Sequence, residues 1–273
     1  MYLAREARPT AVLLCGADAH FSIPKAARIL RIDALEVAST AMGEPDLADL
    51  ARVLNGLKGR PVILVLTCGT TMKGAHDDIA GAIGVLDAAG LGPEQRYVHV
   101  DGALNAMVVP FLPSAPEGIR PDFRPCIDRI STSGHKMIGT PMPCGVLISR
   151  KTHLERIFRA IAYLRPNDTT LMGARNGHAV LAIWTRWMAH GVAGFAQDAL
   201  RCTLRAAEMA ASLRMMGIEA LVNPHSMTVV FPQPSEAIIR ADQVPCYKGL
   251  ARAIVMPSVS DDLIQPFTTD YCT

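Results

Sequence analysis

The sequence predicts an α/β fold in which a mostly parallel sheet is flanked by helices and followed by a smaller C-terminal α+β domain. Short apolar segments alternate with helical patterns through the first 150 residues, which is typical of a parallel sheet covered on both faces. Two of these segments, Val62–Leu66 and Tyr97–Val100, are apolar without strict alternation, as expected of central strands buried on both sides. Beyond residue 151 long helical patterns replace the alternation, and this change indicates the second domain.

The order of the predicted elements follows from these patterns. Strands are predicted at Ala11–Cys15, Leu35–Ala38, Val62–Leu66, Arg96–Asp101, Ile127–Ser131 and Gly145–Ser149. The helices between the first four strands are predicted at Ile23–Leu30, Asp46–Leu57 and Asp77–Ala89. Further on, the pattern predicts helices at Thr152–Tyr163, Gly177–His190 and Val192–Met216 and strands at Glu219–Val222, Thr228–Phe231 and Ala251–Met256. We therefore divide the chain into a large domain, 1–164, and a small domain, 165–273.

Composition and charge narrow the class of protein. A chain of 273 residues can bury a sizeable core, and a net charge of +2 leaves no electrostatic footprint for nucleic acid or an anionic membrane. The N-terminal segment does not have the pattern of a signal peptide, because it carries Arg5, Glu6 and Arg8 close to the start. We therefore expect a cytoplasmic protein. Seven cysteines without a C-x-x-C pair, and eight histidines without i, i+4 spacing, predict neither a disulfide framework nor a metal site.

The most informative stretch is Ser131–Gly139, which puts Lys136 on a turn of small residues after an apolar segment. A lysine there can form a Schiff base with a bound aldehyde. Asp101 ends a predicted buried strand, and strand ends are where α/β sheets hold ligands. Pyridoxal 5'-phosphate needs such a lysine and an acid opposite its pyridinium nitrogen. A carboxylate about 4 Å from that nitrogen contributes about 4 kcal/mol at an effective dielectric of about 20. The alternative is a surface lysine and an aspartate that caps a helix.

Six blocks in a fixed order carry a resemblance to a known family. They are Ala19–Ser22, Gly69–Ala75, His99–Leu104, Ser133–Gly145, Ala174–His178 and Asn223–Phe231. From Tyr2 to about Val259 the chain resembles the pyridoxal-phosphate-dependent group II decarboxylases, and looks most like the bacterial-type histidine decarboxylases. The resemblance implies a fold-type-I transferase-like fold, pyridoxal 5'-phosphate as cofactor, conversion of histidine to histamine and carbon dioxide, and a homodimer or higher homo-oligomer.

The resemblance also implies roles for particular residues. Lys136 is expected to form the Schiff base and to act in catalysis together with His20. His20 is expected to stack on the pyridine ring and to neighbour the substrate carboxylate. Asp101 would pair with the ring nitrogen, and the small side chain of Ala103 would let the ring lie flat.

For the residues expected around the cofactor phosphate, two roles remain possible. By resemblance His135 reaches the phosphate or the reacting centre, although it could be an ordinary loop histidine. Ser131 and Ser133 could donate hydroxyl groups to the phosphate or could serve only as turn formers.

Two further sets of residues also remain open. Thr70 is expected to direct its hydroxyl into the strand-end crevice near the ring oxygen, with Thr67 and Thr71 as competitors. The block Arg175–His178 could contribute to the active site of a second subunit, or could simply cap a helix.

The beginning of the chain leaves the activity open. Tyr2–Ala7 has a helical pattern with no capping residue before it. Relatives carry an earlier segment with a Gly-Thr-Glu-Gly-type turn that cradles the cofactor phosphate. The sequence is therefore expected to be a truncated product, a fragment of a longer gene, or a divergent chain that is a non-catalytic remnant with exposed apolar surface. Decarboxylation of serine, or of an aromatic or acidic amino acid, and another fold-type-I reaction are the remaining alternatives.

Overall fold

The computed structural model describes residues 1–123, 126–163, 167–169, 171–260, 262–264 and 267. Its larger sheet has six strands, and it confirms the predicted mostly parallel sheet between helices. These strands are β1 (Val12–Gly16), β2 (Ala34–Val37), β3 (Val62–Thr67), β4 (Arg96–Asp101), β5 (Arg129–Ser133) and β6 (Gly145–Ser149). Their order is β2-β1-β3-β4-β5-β6, and only β6 runs antiparallel to its neighbour.

The central strands of the larger sheet are buried on both faces, because their side chains alternate between the two faces and helices cover each face. The flanking helices are α1 (Tyr2–Ala7), α2 (Ser22–Leu30), α3 (Leu47–Gly56) and α4 (Ile79–Ala88). On β1, Leu14 belongs to the core that includes α3 and α4, whereas Leu13 belongs to the core that includes α1 and α2. All residues of β1, β3 and β4 are buried, which is why β1 and β3 are apolar without alternation.

Local capping sets the starts of two helices. Asp46 accepts a hydrogen bond from the backbone N of Ala48 at 2.8 Å, and α3 begins after it. Asp78 accepts one from Gly81 N at 2.9 Å and caps α4. Asp77, which the sequence placed at the start of the same helix, lies instead before the cap and is buried.

One predicted helix is wrong. The pattern at Thr152–Tyr163 predicts a helix of three turns, but α5 covers only Lys151–Glu155. After it, Arg159 and Asp168 form a β-bridge with N–O distances of 3.1 and 2.9 Å. Because this pairing uses the backbone groups that a helix would need, the helix ends before it.

The long helix α6 (Gly177–Met215) contains a break at Gly191, whose φ of 62° is outside the helical range. The two helices predicted on either side of residue 191 are therefore present as two segments. Asn176 begins the first segment by accepting a hydrogen bond from His178 N at 3.0 Å.

A four-stranded antiparallel sheet completes the described chain. It consists of β7 (Leu221–Val222), β8 (Thr228–Pro232), β9 (Cys246–Tyr247) and β10 (Leu250–Ile254), with α7 (Glu236–Asp242) between β8 and β9. The pattern did not predict α7 or β9. The proposed domain boundary at 164/165 lies outside the described residues. Within the described part of the chain, no helix combines the length and the apolar character needed to cross a bilayer.

The buried face of α4 generates a stability prediction. Leu86 is fully buried in the core shared by α3, α4 and the sheet, so Leu86→Ala should lower the unfolding free energy by about 2–5 kcal/mol. Leu200→Ala is the control, because Leu200 is 50% exposed and should change stability by about 0.5 kcal/mol or less. Denaturation followed by circular dichroism measures both, and equal effects would contradict the assigned core.

Candidate active site

The carboxyl ends of the parallel strands meet at one edge of the larger sheet, where an open cleft has a volume of about 600 Å³. This volume is within the range of roughly 300–1,000 Å³ typical of small-molecule sites. The predicted site residues that line it are His20, Asp101, Ala103, Ser131, Ser133, His135 and Lys136. Seven of the eight predicted site residues are therefore brought together.

Asp101 is the last residue of β4 and is held from two sides. Its Oδ1 accepts a hydrogen bond from Ala103 N at 3.2 Å and another from the hydroxyl of Ser131, on β5, at 3.4 Å. The Ser131 hydroxyl is also 3.4 Å from Nε2 of His99. These contacts fix a buried carboxyl at the floor of the cleft.

Directly after β4, the backbone at Gly102 packs very closely against Ala106 and Ser131. A Cβ on Gly102 would lie 2.3 Å from the Cβ of Ala106 and 3.0 Å from the carbonyl oxygen of Ser131. Only glycine fits this position, and it lets Ala103 present a small surface to the cleft.

Lys136 lies in a single turn, Gly134–Ile138, which directly follows β5 in the connection to β6. Met137 and Ile138 are buried after it and anchor the turn in the core. The other end of the turn is equally confined, because a Cβ on Gly134 would lie 2.4 Å from Sγ of Cys144. The lysine is therefore carried by a tightly packed segment.

Burial and neighbouring charges act in opposite directions on the Lys136 amine. Burial lowers its pKa from the ordinary 10.5, Asp101 raises it, and Arg252 lowers it again, with a net lowering. A lowered pKa increases the fraction of neutral, nucleophilic amine at a given pH.

His20 follows β1 and is oriented by Ser22. Its Nδ1 accepts a hydrogen bond from Ser22 N at 3.3 Å and lies 2.8 Å from the Ser22 hydroxyl. Burial lowers the pKa of His20, Asp101 partly opposes this, and Lys136 lowers it further. Since Nδ1 is an acceptor, the neutral ring carries its proton on Nε2.

Two buried basic side chains of the cleft were missed by the sequence reasoning. His99 and Arg129 are paired across β4 and β5, and both line the cleft. Burial lowers the pKa of each side chain, that of His99 well below its usual value. Among the described residues, Nδ1 of His99 and Nε of Arg129 have no hydrogen-bond partner. The available signal was the period of two, which puts His99 on the same face as Asp101.

Thr70 is the eighth predicted site residue, and it does not line the cleft. Its side chain is buried, and its hydroxyl accepts a hydrogen bond from Ala75 N at 3.0 Å. Thr67 and Thr71, its two competitors, line the cleft instead. The hydroxyl of Thr70 thus closes its own loop and is not directed into the crevice.

His135 is exposed at the mouth of the cleft. Its Nδ1 accepts a hydrogen bond from Cys144 N at 3.2 Å. This contact ties the segment before Lys136 to the start of β6 and orients the imidazole ring.

Comparisons with known proteins agree with this site. Residues 4–232 match the family model described as the pyridoxal-dependent decarboxylase conserved domain. Serine decarboxylase 1 of Oryza sativa subsp. japonica is 37% identical over 269 residues, which are 98% of this chain and 55% of the relative. Histidine decarboxylase of Vibrio campbellii is 35% identical over 280 residues, covering 99% of this chain and 72% of the relative. The chain thus spans little more than half the length of the rice protein.

A solved structure supports the fold. L-methionine decarboxylase from Streptomyces sp. 590 superposes with a TM-score of 0.83 at 21% identity, over 99% of this chain and 74% of that one. At this identity the likeness shows the fold alone.

The electrostatics of the cleft lead to a prediction about pH. Since Asp101 raises the pKa of the Lys136 amine, Asp101→Asn should lower that pKa further, and the amine should become reactive at lower pH. Competitive lysine labelling across a pH series, followed by mass spectrometry, gives the labelling rate of Lys136 as a function of pH. The inflection of that curve reports the pKa of the amine. Asp78→Asn is the matched control because it changes an exposed helix cap outside the cleft. An inflection that stays in place or moves upward in Asp101→Asn would contradict the assigned interaction.

Proposed function

Because the chain belongs to the pyridoxal-dependent decarboxylase family, we propose that it binds pyridoxal 5'-phosphate in the cleft and removes the α-carboxyl group of an amino acid. One observation carries the proposal. Lys136, Asp101 and His20 come from three separate segments of the chain, the turn after β5, the end of β4 and the loop after β1, and they line the same cleft at the carboxyl edge of the sheet.

The chemistry of the lining fits this cofactor. Lys136 would hold the aldehyde carbon, Asp101 the ring nitrogen, and His20 one face of the ring, with Ala103 beneath the other face. The Ser131 hydroxyl already contacts Asp101 and His99, so we assign the phosphate to Ser133 and His135.

Each of these residues would have a defined task during decarboxylation. When bound, the cofactor supplies an electron sink for the negative charge that remains at Cα as carbon dioxide leaves. Asp101, held by Ala103 and Ser131, keeps a negative charge at the ring nitrogen. Lys136 provides the nucleophilic amine and holds the proton that returns to Cα. His20, neutral and protonated on Nε2, donates towards the substrate carboxylate.

We propose L-histidine as the substrate, with histamine as the product. The support is the similarity to histidine decarboxylases of several bacteria. Serine is the alternative within the same chemistry, because the rice serine decarboxylases are similar to a comparable degree.

The test is to add pyridoxal phosphate to the purified chain and to record the absorbance band near the visible edge. The band should disappear in Lys136→Ala and persist in Lys151→Ala, since the Lys151 side chain is 84% exposed. Carbon dioxide release from histidine should fall about a thousandfold in Asp101→Asn, because about 4 kcal/mol of charge stabilisation corresponds to that factor.

Other outcomes select other hypotheses. A folded chain without the band would be a non-catalytic remnant. Release of carbon dioxide from serine but not from histidine would make serine the substrate. Cleavage of another substrate without carbon dioxide would contradict decarboxylation.

We further propose that the chain assembles as a homodimer. The first segment of α6 carries an exposed apolar face, and its positions repeat at helical spacing. The face consists of Val180, Leu181, Trp184, Trp187 and Met188. Trp184 is 58% exposed, so it does not belong to the core of its own chain. A contiguous apolar face of this kind favours an interface between proteins.

Sedimentation velocity tests the dimer. Trp184→Lys should weaken dimerisation by at least about thirtyfold, because truncating a central interface tryptophan costs about 2 kcal/mol or more. Leu204→Lys is the control, since Leu204 is similarly exposed on the second segment of α6. A stable monomer, or aggregation of the wild-type chain, would contradict the proposal.

A further inference from the structure

A turn of the C-terminal sheet is packed against a loop of the larger sheet that reaches the cleft. We call residues 223–228, which follow β7 and include the first residue of β8, the docking turn. We call residues 67–77, which run from the last residue of β3 towards α4, the threonine loop. Thr67 and Thr71 of the threonine loop line the cleft, whereas no residue of the docking turn does. Contact between the two segments therefore links the C-terminal sheet to the site indirectly.

The threonine loop is closed by its own hydrogen bonds. Gly69 N and Thr70 N both donate to the carbonyl oxygen of Ala75, at 3.0 and 2.8 Å. At its base, the buried Asp77 carboxyl accepts from Thr67 N at 2.7 Å. These bonds tie the segment beside Thr71 to the tip of the loop, so a displacement of the tip would be passed on to Thr71.

Asn223 holds the tip of the threonine loop. Its Nδ2 donates to the carbonyl oxygen of Lys73 at 2.8 Å and to that of Met42 at 2.9 Å. An amide nitrogen has two hydrogens, so both are used. The side chain is buried at 5% exposure, where water cannot readily replace a lost hydrogen bond.

Steric fit strengthens this contact. Gly74 has a φ of +64°, and a Cβ there would lie 2.1 Å from Oγ of Ser226 and 2.7 Å from Cβ of Thr228. The tip of the threonine loop therefore needs a glycine both for its backbone conformation and for its approach to the docking turn.

A histidine adds a third contact. His76 Nε2 lies 3.2 Å from the carbonyl oxygen of His225, which can only accept, and 3.3 Å from the side-chain amide nitrogen of Asn105. Burial lowers the pKa of His76 to about 4, so the ring is neutral at pH 7. The Nδ1 atom is then an acceptor for the Cys68 thiol, 3.6 Å away.

The threonine loop also contacts the segment that carries His20. The ammonium group of Lys73 is 3.2 Å from the carboxylate of Asp18, two residues before His20. The carbonyl of the same lysine is one of the two groups that Asn223 holds.

We propose that Asn223 is a positioning residue that acts through Thr71 to set the affinity of the cleft for pyridoxal phosphate. The inference rests on the proposed function and deepens it. Asn223 does not line the cleft, so its effect passes through the threonine loop. The C-terminal sheet is thereby a determinant of cofactor affinity, in addition to the residues of the larger sheet.

Hydrogen exchange on the chain without added cofactor tests whether Asn223 holds the threonine loop in place. Asn223→Ala should speed exchange of the backbone amides of residues 69–75 by about tenfold, because it removes two buried hydrogen bonds. The control is Leu213→Ala, which creates a cavity in the core of the C-terminal sheet and leaves Asn223 intact. Equal exchange in the two variants would overturn the inference.

A double-mutant cycle tests the effect on the cleft. Asn223→Ala should raise the Kd for pyridoxal phosphate about fivefold to tenfold in the wild-type background, as expected for the loss of buried hydrogen bonds. It should change the Kd less than about twofold in Thr71→Ala, because coupled residues act as a unit. If the effects of Asn223→Ala and Thr71→Ala on the Kd simply multiply in the double variant, the inference is overturned. It is also overturned if Leu213→Ala, at the same loss of Tm, raises the Kd as much as Asn223→Ala does.

The two experiments separate this inference from the proposed function. A wild-type chain that binds no pyridoxal phosphate would overturn the proposed function and, with it, the effect of Asn223 on affinity. The exchange comparison would still decide whether Asn223 holds the threonine loop. Conversely, a wild-type chain that binds the cofactor, with unchanged exchange in Asn223→Ala, would overturn the inference alone.

Discussion

The site depends on the parallel pairing of β1, β3 and β4. In the register of β3 with β4, Thr67 lies beside Asp101, and β5 continues the same edge with Ser131. Parallel strands end on one side of a sheet, so the loops that follow them share one space. The crossover helices α2, α3 and α4 are the connections that such pairing requires. A slip in this register would separate the carboxyl group from the lysine turn.

Burial gives the polar groups of the cleft their character. It lowers the pKa of both Lys136 and His20, and Asp101 opposes each change. Backbone and hydroxyl donors hold Asp101 in place. Charges in such a partly desolvated space interact more strongly than they would in water. The same burial that makes the amine nucleophilic therefore also makes the carboxylate an effective partner for a positive ring.

The C-terminal sheet extends this organisation. The block Asn223–Phe231, noted first as a sequence resemblance, contains the docking turn and all but the last residue of β8. The docking turn contacts the threonine loop through the side-chain amide of Asn223, through Ser226 and Thr228 packed against Gly74, and through the carbonyl oxygen of His225, which lies near His76. Thr70 illustrates why such contacts escape sequence reasoning: its hydroxyl stays inside the loop, and the neighbouring Thr67 and Thr71 reach the cleft.

The sequence by itself determined the alternating strands and helices, the buried character of β3 and β4, and the strand ends that carry Asp101 and precede Lys136. The buried character of β3 follows from its continuous apolar run, and that of β4 from the segment Tyr97–Val100, because strands covered on both faces are typically apolar without alternation. Only the tertiary structure decided the early end of α5, the place of His99 and Arg129 in the lining of the cleft, and the presence there of Thr67 and Thr71 rather than Thr70. Each of these depends on backbone pairing or packing between segments distant in sequence, such as Arg159 with Asp168 or Asn223 with Lys73, which no local pattern records.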